Sequence, residues 1–526
     1  GMGIHSDLFC PMYTKPHQME SQWKQFGKGK PFILIEYAHA MGNSLGNFQQ
    51  YWDMIESHDY MQGGFIWDWV NQAFFKTTPE GVTFLAYGGD YGDQPNDDNF
   101  CANGVIEAPR VPLPHYYEMR KVYQNIAVTA GDKPGTIKVR NKNVFRDLSF
   151  VAGRWELLKN GEVSASGNLP ALKTAPGQSE VVELTGWPGT LDPGSEWLVN
   201  VFFDLAVDEL WALKGYTVAY EQIAVQSTPK PTGQAVAGLA PVKLDESAEA
   251  YTVSGEGFSA RVGKKSGALE SFINDGKELM AEPLIPNFWR APTDNDRGNW
   301  MAKRLGAWRE AGRKRSVRSV TARQVSPGVV EVKVEASIPV GASSWRTVYT
   351  IYGDGAVEVK NSLSVPRGLP DLPRVGMQMA MPGKFRNVKW YGRGPQENYI
   401  DRNTGMLVGI YSSKVDDLVY PYIEPGESGN RTEIRWVRIT DNSGFGLEAF
   451  TSTPMDFNFS AWPYTMDAVM KAKHPYQIER SDNVIVNLDM RQMGVGGDDS
   501  WGALPHDEFR LFPGDYSYTF TLRAVP

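Results

Sequence analysis

From residue 7 to about residue 124, short apolar runs alternate with polar stretches of helical character. "DLFCPMY" (7–13) is a brief apolar run ended by Pro and Tyr, and the polar "QMESQWKQF" that follows is helix-capable. "PFILIEY" (31–37) predicts a strand that runs straight into Glu36. Asn43 or Ser44 is then placed to cap a helix, because their side chains accept free backbone N–H groups. Leu45, Phe48, Trp52 and Ile55 recur at helical spacing and give that helix one apolar face. "GGFIWDWV" (63–70) predicts another strand and "PHYYEMRKVYQN" (114–125) a helix. Strand–helix alternation with short connections predicts a parallel sheet. Three strands close no barrel, so the segment reads as the C-terminal part of a larger α/β unit. Two unpaired sheet edges would leave it partly disordered, packed in a makeshift way, or paired with another chain.

The pattern changes near residue 126. "TIKVRNKNVF", "FVAGRWELLKNGEVSASGNL", "EWLVNVFFDL" and "YTVAYEQIAVQ" alternate with period two and are split by turn residues, with Asn160-Gly161 a strong hairpin signal. About a hundred residues of this kind predict an immunoglobulin-like β-sandwich. A Pro/Gly/Thr-rich stretch reads as a linker. The rest is again strand-patterned and predicts one large sandwich. The predicted divisions are 1–125 for the α/β portion, 126–228 for the first sandwich, 229–239 for the linker and 240–526 for the second sandwich.

Composition narrows the function. The 526 residues carry a net charge of −8 and no long basic run, which argues against nucleic acid. No apolar stretch approaches the roughly 18 residues of a membrane span, and no signal-peptide pattern opens the chain. A soluble protein is expected, cytoplasmic or periplasmic. Cys10 and Cys101 are too few for a disulfide framework, match no metal spacing, and are expected to be free and buried. Aromatic content is 12%, with 16 Trp; such surfaces suit sugars, although sandwich cores account for most of these rings.

Glu36 is the chemical focus. Catalytic groups of parallel α/β sheets gather at the C-terminal strand ends, which is where Glu36 falls. His39 follows three residues later, and the next strand ends in Trp67-Asp68-Trp69. An ionised carboxylate flanked by His and Trp suits attack on an anomeric carbon. A second carboxyl group is then needed as the acid. Asp53, Glu56, Asp68, Asp90, Asp93, Asp97 and Asp98 are available, but none has a comparable strand-end setting.

"ILIEYAHAMGNSLGNFQQYW", "QGGFIWDWVNQ", "AYGGDYGDQPNDDNFCANGV", "YGRGPQENYIDR" and "MGVGGDDSW" resemble the large β-galactosidases of glycoside hydrolase family 2. The resemblance implies the C-terminal part of a (β/α)₈ barrel, then an immunoglobulin-like sandwich, then a large galactose-mutarotase-like sandwich. It implies retaining hydrolysis of terminal β-galactosides such as lactose, with Glu36 as nucleophile. His39 matches a histidine that contacts galactose, and Tyr13 a tyrosine beside the nucleophile. Trp67 matches the floor of the sugar subsite, and Trp501 a tryptophan that reaches the site from the last domain. Phe100 and Asn103 match a backbone and a side-chain ligand of a sodium ion near the sugar. The family also uses magnesium, whose ligands lie upstream of the stretch represented here.

The family's general acid/base is a glutamate preceded by asparagine, and the dipeptide Asn-Glu occurs nowhere in the 526 residues. The chain thus reads as the C-terminal half of such an enzyme, inactive or weak alone, with the missing half as partner and a homo-oligomer as a further possibility. The competing expectation is a non-catalytic carbohydrate-binding or scaffold protein built on the two sandwiches.

Overall fold

The computed structural model describes residues 6–226, 238–451 and 455–526. Residues 229–237 of the predicted linker lie outside the described residues. The fold is mostly β-sheet with few helices.

The first segment contains α1 (Pro16–Gln22), β1 (Phe32–Tyr37), α2 (Phe48–Glu56), β2 (Met61–Ile66) and α3 (Pro114–Val122). β1 and β2 pair in parallel, with Phe32 opposite Met61 and Leu34 opposite Gly64. On the other side of β1, residues 9–13 make parallel bridges, Phe9 to Phe32 and Met12 to Glu36. The amides of Ile33 and Ile35 donate to the carbonyls of Phe9 (3.0 Å) and Pro11 (3.1 Å). Pro11 has no N–H to return, which limits this run to bridges. Beyond β2, Val70 and Ile106 continue the parallel order.

Period-two alternation decides which residues face where. Phe32 and Leu34 point into a core shared with Phe48, Tyr51 and Ile55 of α2 and with Met119 and Val122 of α3. The opposite face carries Met12, Ile35, Phe65 and Trp67, all exposed. Parallel sheets ordinarily have both faces covered. One face of this sheet is packed and the other is bare.

Two sequence expectations change here. The helix begins at Phe48, not after Asn43 or Ser44. The Asn43 amide instead donates to the Glu427 carbonyl (2.6 Å) and the Tyr399 hydroxyl (3.0 Å), and Leu45 takes a left-handed φ of 63°. A tertiary contact has claimed the predicted cap. Cys10 and Cys101 are half-buried, not buried.

Residues 126–226 form a three-stranded and a four-stranded sheet around a core that includes Trp155, Trp197 and Phe203. At Asn160-Gly161 both residues have positive φ, 50° and 87°, as a tight hairpin between Val151–Lys159 and Glu162–Asn168 requires. Among the described residues after 238, a ten-stranded and a nine-stranded sheet enclose one apolar core.

The loop between β1 and α2 is docked on this last sandwich. The amides of Gly46 and Asn47 donate to the carbonyls of Gly496 (2.7 Å) and Asp401 (2.6 Å). The Arg402 guanidinium donates to the Ser44 carbonyl and pairs with Glu397 (2.9 Å), with both side chains of that pair nearly inaccessible. A buried charge needs such a partner. These contacts fix the end of β1 relative to residues 494–506.

Candidate functional site

Glu36 stands half-buried at the end of β1. Tyr13 reaches it from the adjacent segment: its amide donates to the Glu36 carbonyl (2.9 Å), and its phenol lies close enough to the Glu36 carboxylate to feel its charge. Burial, then the charge of Glu36, pushes the Tyr13 phenol far above the usual tyrosine range, so it is a proton donor at every ordinary pH. Tyr13 and Ala38 both hold left-handed φ values, 47° and 52°. Non-glycine residues adopt that region at a cost and where surrounding structure enforces it. Here it turns the chain sharply on both sides of the carboxylate.

His39 follows on the exit loop and is almost fully buried. Burial pulls its imidazole down to about 4, so it is neutral near pH 7. Its Nδ1 lies 2.7 Å from Ser500 Oγ, and that hydroxyl donates to Asn295 Oδ1 (2.6 Å). The proton order this chain dictates is Nδ1–H to Ser500 to Asn295, which leaves Nε2 as the proton-free nitrogen. The ring stacks on Phe100 at 5.4 Å and meets Trp501 edge-on at 5.1 Å. Trp501 also meets Tyr13 edge-on at 4.7 Å, and its indole remains half-exposed.

Tyr13, Glu36, His39, Phe100 and Trp501 are therefore brought together from four separate stretches of chain. Trp67 stands at the neighbouring strand end with its ring partly exposed. Its carbonyl accepts from the Ala40 amide (2.8 Å), which ties the two strand ends together. Asn103 lies behind Phe100. Its Nδ2 donates to the Phe100 carbonyl (2.9 Å), while its buried Oδ1 has no hydrogen-bond partner. An orphaned buried oxygen beside a carbonyl is a donor set that fits a hard cation such as sodium.

The other carboxylates are placed differently. Glu56 pairs with Lys142, Asp53 accepts from Gln49, Asp90 faces His474 and Asp93 caps Gly89. Asp98 lies near Glu424, whose carboxyl is raised by burial first and by Asp294 and Asp98 after it. Asp68 is nearest in effect, adding to the field on Tyr13, but its oxygens already accept from the Val70 amide and the Gln72 side chain.

Sequence reasoning overlooked Ser500 and Asn295. "GGDDSW" forms a loop in which Gly496, Gly497, Asp498 and Ser500 are buried because they pack on the β1–α2 loop. A serine directly before the tryptophan was the available signal.

Three family profiles match: "Beta galactosidase small chain" over residues 254–522, "Glycosyl hydrolases family 2, TIM barrel domain" over 2–128, and "Beta-galactosidase, domain 4" over 137–226. A β-galactosidase of Priestia megaterium is 38% identical over 99% of this chain and 50% of its own length. Those of Halalkalibacterium halodurans and Streptococcus thermophilus are 35% and 32% identical, over 51% and 52% of their lengths. The chain spans about half the length of the curated relatives it matches. Among solved structures, a putative aldose 1-epimerase from Escherichia coli K12 aligns at 14% identity and a TM-score of 0.31, covering 52% of this chain and 98% of that one. A galactose 1-epimerase from Lactobacillus acidophilus NCFM aligns at 10% identity and a TM-score of 0.30, covering 55% and 99%.

Proposed function

We propose, from the premise that this chain belongs to the β-galactosidase small-chain family of glycoside hydrolases, that it carries the nucleophile half of a retaining β-galactosidase site. Residues 9–13, β1 and β2 are the C-terminal arc of a (β/α)₈ barrel. The bare face with Met12, Ile35, Phe65 and Trp67 turns toward the remaining barrel, which corresponds to the half of the relatives that this chain does not cover. The observation that carries the reading is Glu36 at a strand end, with the Tyr13 phenol beside it and His39, Phe100 and Trp501 packed ring to ring around Tyr13.

Glu36 is half-exposed at the strand end, where its carboxylate can attack the anomeric carbon of a terminal galactosyl group. Tyr13 donates to that carboxylate, fixes its orientation, and disperses charge as the glycosyl bond breaks. His39, neutral with Nε2 unprotonated, accepts from a sugar hydroxyl. The half-exposed faces of Trp67 and Trp501 pack on the sugar ring. Asn103 Oδ1 and the Phe100 carbonyl would hold a sodium ion, which offers sugar hydroxyl oxygens a fixed positive partner. The general acid lies on the complementary portion. Without it the lone chain loses roughly 10²–10⁴ in rate from acid catalysis, and more from lost positioning.

The test is galactoside hydrolysis by this chain alone and after mixing with the N-terminal portion of a relative. Turnover only in the mixture supports the reading. Turnover by the lone chain at the rate of an intact relative, or none in a stoichiometric complex, overturns it.

A further inference from the structure

The segment that presents Ser500 and Trp501 is anchored on both sides. Before it, the Val495 and Gly496 amides donate to the buried Asp401 carboxylate (3.0 and 2.8 Å). The second anchor is a polar cluster on α2, away from Glu36. Asp498, with its side chain 2% accessible, accepts at Oδ1 from the Tyr51 hydroxyl (2.8 Å) and the Asn47 side-chain Nδ2 (3.2 Å). Its Oδ2 faces His506 Nε2 at 2.9 Å and Lys15 Nζ at 3.7 Å. On the far side of the ring, His506 Nδ1 lies 2.7 Å from Gln50 Oε1.

Hydrogen-bond bookkeeping decides the protonation of His506. The Gln50 amide group donates to the Glu508 carboxylate, which can only accept, so Oε1 is the atom turned toward His506. An acceptor thus faces each ring nitrogen: the Gln50 carbonyl at Nδ1 and the Asp498 carboxylate at Nε2. Only the doubly protonated imidazolium satisfies both. The neutral ring leaves one lone pair directed at an oxygen and the buried Asp498 charge weakly matched, which is costly.

We propose that Asp498 and His506 are positioning residues for the proposed glycosidase site: their ion pair, complete only while His506 is protonated, clamps residues 498–506 on α2 and so holds Ser500 against His39 and Trp501 against Tyr13. The inference rests on the proposed function for its catalytic meaning, but the clamp itself is a property of this chain. Trp501 sits between the two ends of the second anchor, three residues after Asp498 and five before His506. Its described side-chain contacts are ring packing alone, so its position depends on its neighbours.

The surroundings favour the charged ring on balance. Burial opposes it, but the bond and charge of Asp498, then Glu508, outweigh burial and Lys15, and His506 is raised above the usual histidine value. His17, 5.8 Å away ring to ring, and Asp53 of α2, with Asp507 and Arg510 of its own segment, complete the charged and titratable groups around it. A groove of about 860 Å³ lined by these residues gives solvent access to the ring.

The test is fluorine NMR of the full chain labelled with fluorotryptophan, with the Trp501 resonance assigned by Trp501→Phe. Between about pH 5 and pH 9 the resonance is expected to move with one inflection above the free-histidine value. In His506→Gln it is expected to be independent of pH, and in His506→Arg, which keeps a cation beside Asp498, to stay at its low-pH position. In the reconstituted complex His506→Gln is expected to raise KM roughly tenfold with a smaller effect on kcat, as for loss of one charge-assisted bond. A Trp501 resonance that does not titrate, or that titrates equally in His506→Gln, overturns the inference. A complex that hydrolyses no galactoside refutes the proposed function instead, and the titration of the lone chain still decides the clamp.

Discussion

Ser500 and His39, 461 positions apart, meet at 2.7 Å between Ser500 Oγ and His39 Nδ1. The contact joins the last sandwich to the loop that leaves β1. It sets the tautomer of the imidazole that follows Glu36 on the exit loop, so the α/β segment and the last sandwich both shape the candidate site.

Replacing Ser500 by Ala removes a buried partner from His39 and from Asn295 together. A loss of about 1–3 kcal/mol is expected for leaving buried polar groups unpaired. Amide hydrogen exchange should show it locally, as reduced protection around residues 39–47 and 494–503, with the 126–226 sandwich unchanged.

His39 should titrate near 4, because burial disfavours the imidazolium. Its folded value lies below the free value of about 6.5, so the unfolded chain binds more protons between those limits. Stability contributed at this position is therefore present above about pH 6.5 and lost as pH falls toward about 4. Imidazole NMR signals assigned with His39→Gln check the value directly.

Asp489 predicts the opposite slope. Burial, partly offset by Arg374 at 3.2 Å and reinforced by Glu427, raises its carboxyl to about 7. A raised carboxyl favours the folded state while protonated, so stability is lost as pH rises from about 4 through about 7. Thermal unfolding followed across that range should show the decline in the native chain and a flatter profile in Asp489→Asn.

Gly46→Ala should pry the α/β segment from the sandwich. A Cβ there would stand 1.9 Å from Asp401 Oδ2 and 2.9 Å from the Gly496 amide nitrogen. Overpacking of this kind costs about 1–3 kcal/mol. Exchange protection should drop at residues 44–47 and 494–498, and reconstituted activity should fall with it.

The strands of the α/β arc were legible because apolar runs report buried strands directly, and Asn160-Gly161 because a tight hairpin demands two positive φ values. The helix start was not legible: Asn43 is a good cap in isolation, but it is taken by Tyr399 and the Glu427 carbonyl, more than 350 residues away. Glu36 stood out by its strand-end position, yet its pairing with Tyr13 follows from the register of residues 9–13 against β1. The buried state of "GGDDS" depends on a glycine-to-glycine approach between residues 46 and 497 that no local pattern encodes.

The central claim is that Glu36 forms the covalent bond to the sugar. The direct measurement is mass spectrometry of this chain after the reconstituted complex is treated with a fluorinated galactoside that stalls hydrolysis of the glycosyl intermediate. The account predicts one added sugar on the peptide containing Glu36, absent in Glu36→Gln. A label on another residue, or an unlabelled chain in a complex that turns the substrate over, would contradict it.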